Sequence, residues 1–108
     1  MSGESFADLE KVAEQYAEAE AQRVFLTEFK KSKKAMLMQL FEVSDKKMSA
    51  AAQEREAYAH HEYVEVIEGL KVATEKALKL KFKMEVMRMR FETWRTKQAT
   101  LRAEMNIR

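Results

Sequence analysis

Cysteine and proline are both missing from this sequence, and glycine occurs only at Gly3 and Gly69. Without cysteine there is neither a disulfide framework nor a thiolate zinc site, and the chain suits a reducing compartment. Without proline, and with almost no glycine, it lacks the residues that punctuate tight turns, which excludes sheet-rich folds. No run approaches the roughly 18 apolar residues that a bilayer-spanning helix requires. Met1 to Asp8 has neither the basic flank nor the apolar stretch of a signal peptide, so a cytoplasmic protein is expected. Also absent are a nucleophile with a partnered base, a phosphate-cradling glycine loop and zinc-ligand spacing. No enzyme activity, catalytic residue, cofactor or metal is expected. His60, His61, Glu62 and Glu65 are the one cluster with metal-ligand character, since His61 and Glu65 share a helix face, but two ligands do not make a site and a solvated helix start is the simpler reading.

What the chain does have is charge and apolar side chains, 35% and 46% of its 108 residues, the profile of long helices and coiled coils. At this length it is one domain, residues 1–108, with too few layers to close a deep core alone, so a homo-oligomer is expected. The net charge of +2 hides an alternation along the chain. Residues 1–20 hold six acids against Lys11, a net −5; residues 21–49 carry +4, residues 50–70 −4 and residues 71–108 +7.

Ser5 followed by Asp8 is an N-cap with an acid at the third helical position, so a helix is predicted to start there. Apolar residues then recur at Leu9, Val12, Tyr16, Ala19, Leu26, Phe29, Met36 and Leu40, interrupted by Arg23 and Lys33, which predicts a helix from about Phe6 to Phe41. The rhythm stops between Glu42 and Ser49, where Ser44, Asp45, Lys46 and Lys47 form the most turn-like stretch. Ser49 can cap a short helix ending near Ala59 and His60, although nothing there forces a break from the residues after it; residues 42–60 are the connection.

The strongest periodic signal comes next. Tyr63, Val66, Leu70, Ala73, Ala77, Leu80, Met84, Met87, Phe91, Trp94, Gln98, Leu101 and Met105 are spaced by alternating threes and fours, with Gln98 the single polar member. A helix over about 61–106 is predicted, on the order of 65 Å long at about 1.5 Å per residue, and it needs a neighbour along most of that length. Folding the chain back at residues 42–60 sets acidic blocks beside basic ones. The predicted fold is all-α: a long antiparallel, coiled-coil-like hairpin with a short connecting helix, dimerising into a helical bundle.

Two surfaces of the long helix are candidates for function. With Ala77, Met84, Phe91 and Gln98 as heptad a positions, the flanking positions are Lys81, Arg88, Arg95 and Arg102 on one side and Lys76, Lys83, Arg90 and Lys97 on the other, all basic. Such a ridge can neutralise the protein's own acidic first helix, contact nucleic acid, or meet an acidic protein surface. Phe91 and Trp94 lie in the seam, which leaves no aromatic interleaving for base stacking. The second surface is apolar residues off the seam: Leu78, Phe82, Val86 and Met89 on the long helix, with Val24, Phe25, Met38 and Phe41 on the first. Phe82 and Met89 are expected in a homodimer contact or a docking face for another protein. Membrane binding is disfavoured by Glu75, Glu85, Glu92 and Glu104, which interrupt the basic amphipathic pattern.

The segment Gln53 to His60 (QEREAYAH) and the stretch Glu62 to Met105, with GLKVATEKALKLK and MRMRFETWRTKQATLRAEM, resemble small, functionally unassigned helical proteins of tailed bacteriophages over about the last half of the chain. Members of that group lie among recombination and replication genes. The resemblance implies an accessory role in phage DNA metabolism or in countering host nucleases, and it implies no catalytic residues. The sequence thus leads to a non-enzymatic binding module, with a protein-only inhibitor or adaptor and a structural assembly component as alternatives.

Overall fold

The computed structural model describes residues 5–45 and 47–107; Met1, Gly3 and Lys46, named above, lie outside them. Three helices occur in order, α1 Phe6–Ser44, α2 Ala50–Ala59 and α3 His61–Ile107, with no strand among the described residues. The all-α hairpin expected from the periodicity is present. α1 and α3 run antiparallel, and the molecule measures 88 × 20 × 14 Å.

Each boundary has a local cause. Ser5 accepts a hydrogen bond from the Asp8 N–H at 3.2 Å through its hydroxyl, while the Asp8 carboxylate accepts from the Ser5 N–H at 3.0 Å, a complete capping box. α1 ends three residues beyond the predicted Phe41, because the Asp45 N–H still reaches the Phe41 carbonyl at 2.8 Å and the Ser44 hydroxyl donates to the Leu40 carbonyl at 2.9 Å. Asp45 then turns the chain by accepting from the Lys47 N–H at 3.1 Å. Ser49 caps α2 by accepting from the Ala52 N–H at 3.1 Å. α2 and α3 are separate helices: His60 adopts an extended conformation, φ −67° and ψ 137°, and its Nδ1 accepts from the Glu62 N–H at 3.1 Å. The histidine with metal-ligand character is therefore the residue that caps α3.

The core is thin and runs as a line. At one end Val12 packs with Met84 and Met87, supported by Leu9, Ala13, Tyr16 and Leu80, and Phe6 stacks on Phe91 with ring centroids 4.6 Å apart. In the middle the buried positions are the small side chains Ala19, Ala73 and Ala77. At the other end Leu37, Ala57 and Tyr63 bring all three helices together, with Met38 and Phe41 against them. Gly69 in α3 is not demanded by close packing, since a methyl there would meet only Leu26 Cδ1 at 3.9 Å, an ordinary contact. Among the described residues no large side chain is fully buried. At about 1.5–3 kcal/mol per buried large apolar side chain, so short a core leaves a modest margin over chain entropy.

The first helix departs from the predicted register in its second half. Met36 and Leu40, expected in the seam, are exposed, whereas Leu37 is buried and Met38 and Phe41, expected off it, pack against the core. From Leu26 the inward positions continue through Lys30, Lys33, Leu37 and Phe41. That series of steps keeps to 3.6 residues per turn by spending two of its positions on lysine. α2 then fixes the phase by covering Leu37 and Phe41 rather than Met36 and Leu40.

Candidate functional site

Charge sorts itself along the hairpin as the block pattern requires, but the ion pairs concentrate at the connected end. Lys34 Nζ lies 2.9 Å from Glu54 Oε1 and 2.7 Å from the Tyr58 hydroxyl oxygen, and it sits over the Tyr58 ring at 4.7 Å. The bond to Tyr58, with that to Glu54, holds the Lys34 ammonium above the usual lysine range; the same Lys34 contact, with help from Tyr58, holds the Glu54 carboxyl below its usual range. Lys33 adds a 3.5 Å pair to Glu62. Arg23, which breaks the apolar rhythm of α1, folds over the partly covered surface and hydrogen bonds Glu20, lowering the carboxyl pKa chiefly through those bonds and slightly through the charge of Lys81.

At the other end the basic flanks of α3 stay in solvent. Lys76, Lys81, Lys83, Arg88, Arg90, Arg95, Lys97 and Arg102 are all exposed. Lys83, Arg88, Arg95, Lys97 and Arg102 make no ion pair among the described residues. Folding divides the single ridge of the sequence into two rows. Lys81 shares a groove with Tyr16, Glu20 and Arg23 on one side of α1, and Lys76 shares another with Gln15 and Glu18 on the opposite side. Alongside α1, Lys81 and Arg88 therefore lie on one side of it and Lys76, Lys83 and Arg90 on the other, while Arg95, Lys97 and Arg102 continue the two rows past its first residue.

α3 also outruns its partner. The seam is occupied as predicted from Tyr63 to Phe91, but Phe91 already stacks on Phe6, the first residue of α1. Beyond it Trp94 is 38% exposed, Leu101 51% and Met105 74%, and a shallow groove from Glu92 to Arg102 is lined by α3 residues alone. The expectation that these three seam positions pack within the chain does not hold among the described residues, because α1 stops about two heptads short of the end of α3.

The off-seam apolar residues of α3 are exposed as expected: Leu78, Phe82, Val86 and Met89, from 40% to 61%. Val24 and Phe25 on α1 are exposed too. Periodicity reading missed that Phe25 belongs to a longer exposed stripe on α1 with Phe29, Met36, Leu40 and Val43. The signal was present in their spacing, but it was obscured by assigning Phe29, Met36 and Leu40 inward.

His60 and His61 stack with centroids 4.5 Å apart, and no group of three or more metal-binding side chains occurs among the described residues. No helix among them is long and apolar enough to cross a membrane. No protein-family model, curated protein or solved structure matches the chain.

Proposed function

We propose that this chain is a non-catalytic binding module that contacts nucleic acid, or an enzyme acting on nucleic acid, through the basic rows of α3, as an accessory in phage DNA metabolism. The observation that carries the reading is the state of the cations: Lys83 and Arg88 remain exposed and without ion pairs among the described residues although the acidic block of α1 lies alongside, and Arg95, Lys97 and Arg102, beyond the first residue of α1, are likewise exposed and without ion pairs among the described residues. Cations left hydrated on a rigid helix are ready to displace counterions from phosphates. Within a row they recur every seven residues, about 10.5 Å apart at about 1.5 Å per residue, so Lys81 and Arg102 reach over about 30 Å of a polyanion.

Salt-titrated binding to single- and double-stranded DNA and RNA tests this. Affinity is expected to fall steeply with salt, and Arg88→Glu with Arg95→Glu to flatten the log–log salt slope by about 2, at about 0.9 for each duplex phosphate no longer neutralised. Helicity should be unchanged by circular dichroism. No binding at low salt, or unaltered binding by the double variant, would sink the proposal.

A protein partner is the second reading, favoured by the exposure of Leu78, Phe82, Val86 and Met89 on the side of α3 turned away from α1. Phenylalanine and methionine adapt to a partner's contours, and the cationic flanks would steer an acidic one. We also hold that the chain is a homodimer, for the reason its core gives: large apolar residues remain wet on both long helices.

A further inference from the structure

We infer that the chain pairs with a second copy of itself through α1, along the stripe Phe25, Phe29, Met36, Leu40 and Val43, in an antiparallel two-fold arrangement centred near residue 34. The inference rests on the dimer reading and names its face; it is independent of nucleic-acid binding.

All five side chains are more than a third exposed, and Phe25 and Phe29 stack with centroids 5.8 Å apart. They lie on the side of α1 away from α2. Lys34, which holds α2 through Glu54, is two residues from Met36 and so about 200° around the helix from it. The occupant is identified by symmetry, charge and size together.

A C2 interface must be complementary to itself, each residue meeting the residue equally far on the other side of the axis. About residue 34, Phe25 mirrors Val43, Ser32 mirrors Met36, and Phe29 mirrors Leu40 to within one position. Two copies laid antiparallel therefore place large apolar residues against large apolar residues at both ends and a small serine against methionine at the centre.

Charge selects this face over the outer face of α3. The border of the α1 stripe is nearly neutral, with Ala21, Gln22, Ala35 and Gln39 beside it, and the nearby cations Lys31, Lys33 and Lys34 are paired with Glu28, Glu62 and Glu54. On α3 the apolar residues are interleaved with cations: residues 76–90 hold six bases against Glu85, and even with Lys79 paired to Glu75 the segment stays strongly positive. Two such segments pressed together repel. The outer face of α3, which the composition alone nominates for the dimer, is thus left for a partner of a different kind.

The area suffices. With about 150–200 Å² per large side chain, the exposed parts of these five offer on the order of 500 Å² per copy, so about 1,000 Å² for the pair, where specific interfaces begin. The two α3 helices then project in opposite directions from a central overlap, giving a rod of about 130 Å by the rise of about 1.5 Å per residue.

Light scattering and circular dichroism on the full chain, with register-specific crosslinking, test the pairing. The wild type should have twice its 12.7 kDa chain mass; a monomer overturns dimerisation itself. Phe29→Glu with Met36→Glu should halve the mass with helicity retained, while Phe82→Glu with Met89→Glu should leave it doubled; the reverse pattern overturns the α1 face alone. Because the chain has no cysteine, an equimolar mixture of Ser32→Cys and Met36→Cys chains, oxidised, should give mainly the mixed disulfide dimer. A persistent dimer with no excess of the mixed species overturns the antiparallel register.

Discussion

At the scale of single residues, polar side chains on α1 decide how the connected end is held. Lys34 is the clearest case. It carries a hydrogen bond to Tyr58 and an ion pair to Glu54, and these tie α2 back onto α1 next to buried Leu37. Glu54 has a depressed folded pKa, so its contribution is present above the unfolded carboxylate value of about 4.3 and is lost as pH falls through the folded value. Lys34 has a raised folded pKa, so its contribution is present below the unfolded value of about 10.4 and is lost as pH rises through the folded one. Both operate together between roughly pH 5 and 10. The melting-temperature difference between wild type and Glu54→Gln should be flat from about pH 6 to 9 and shrink below about pH 4. A difference that persists undiminished at about pH 3, below the unfolded carboxylate value, would mean that the ion pair is not its source. Lys34 carries no signal in the periodicity, which marks Arg23 and Lys33 as the interruptions; its partners come from twenty and twenty-four residues away.

At the scale of elements, the helices were legible almost to the residue, because Ser5, Ser49 and the Ser44–Lys47 stretch are local signals and local hydrogen bonds satisfy them. Which face of α1 turns inward was legible only in its first half. Up to Leu26 apolar periodicity alone identifies the seam; beyond it, Lys30 and Lys33 occupy inward positions and two candidate stripes remain, one through Leu37 and Phe41, the other through Met36 and Leu40. α2 chooses the first. Leu37→Ala should therefore cost about 2–4 kcal/mol in urea unfolding, through lost burial and a residual cavity, while Met36→Ala should cost under about 0.5 kcal/mol in the monomeric background of Phe29→Glu. Equal costs would restore the register through Met36 and Leu40. α3 shows the opposite case: its seam is unambiguous over thirteen positions, yet only the part facing α1 is used within the chain.

At the scale of the whole molecule, a radius of gyration of 24.2 Å sets the chain apart from a compact domain of this length, for which about 13 Å is usual. Small-angle scattering from the Phe29→Glu, Met36→Glu variant should give a value near 24 Å, and the wild type a longest dimension beyond 88 Å, towards about 130 Å. A variant near about 13 Å would mean that the hairpin collapses. So extended a form explains why most of the candidate sites are faces: two long helices side by side can bury only one stripe each, and the remaining apolar and basic residues face outwards.

The sequence by itself determined the fold class, the two long helices, the Ser5 and Ser49 caps and the antiparallel order, because capping, heptad spacing and block charge are local or nearly additive properties of the chain; it left the break between α2 and α3 at His60 open. The eight basic residues flanking the α3 seam were legible for the same reason, each at an e or g heptad position. Tertiary structure alone decided that α1 lies between Lys81 and Arg88 on one side and Lys76 and Lys83 on the other, that α3 runs past its neighbour, and that the second half of α1 turns Leu37 inward and Met36 outward. Each depends on where one helix ends against another, and periodicity fixes the phase of a helix but not the point at which its neighbour stops.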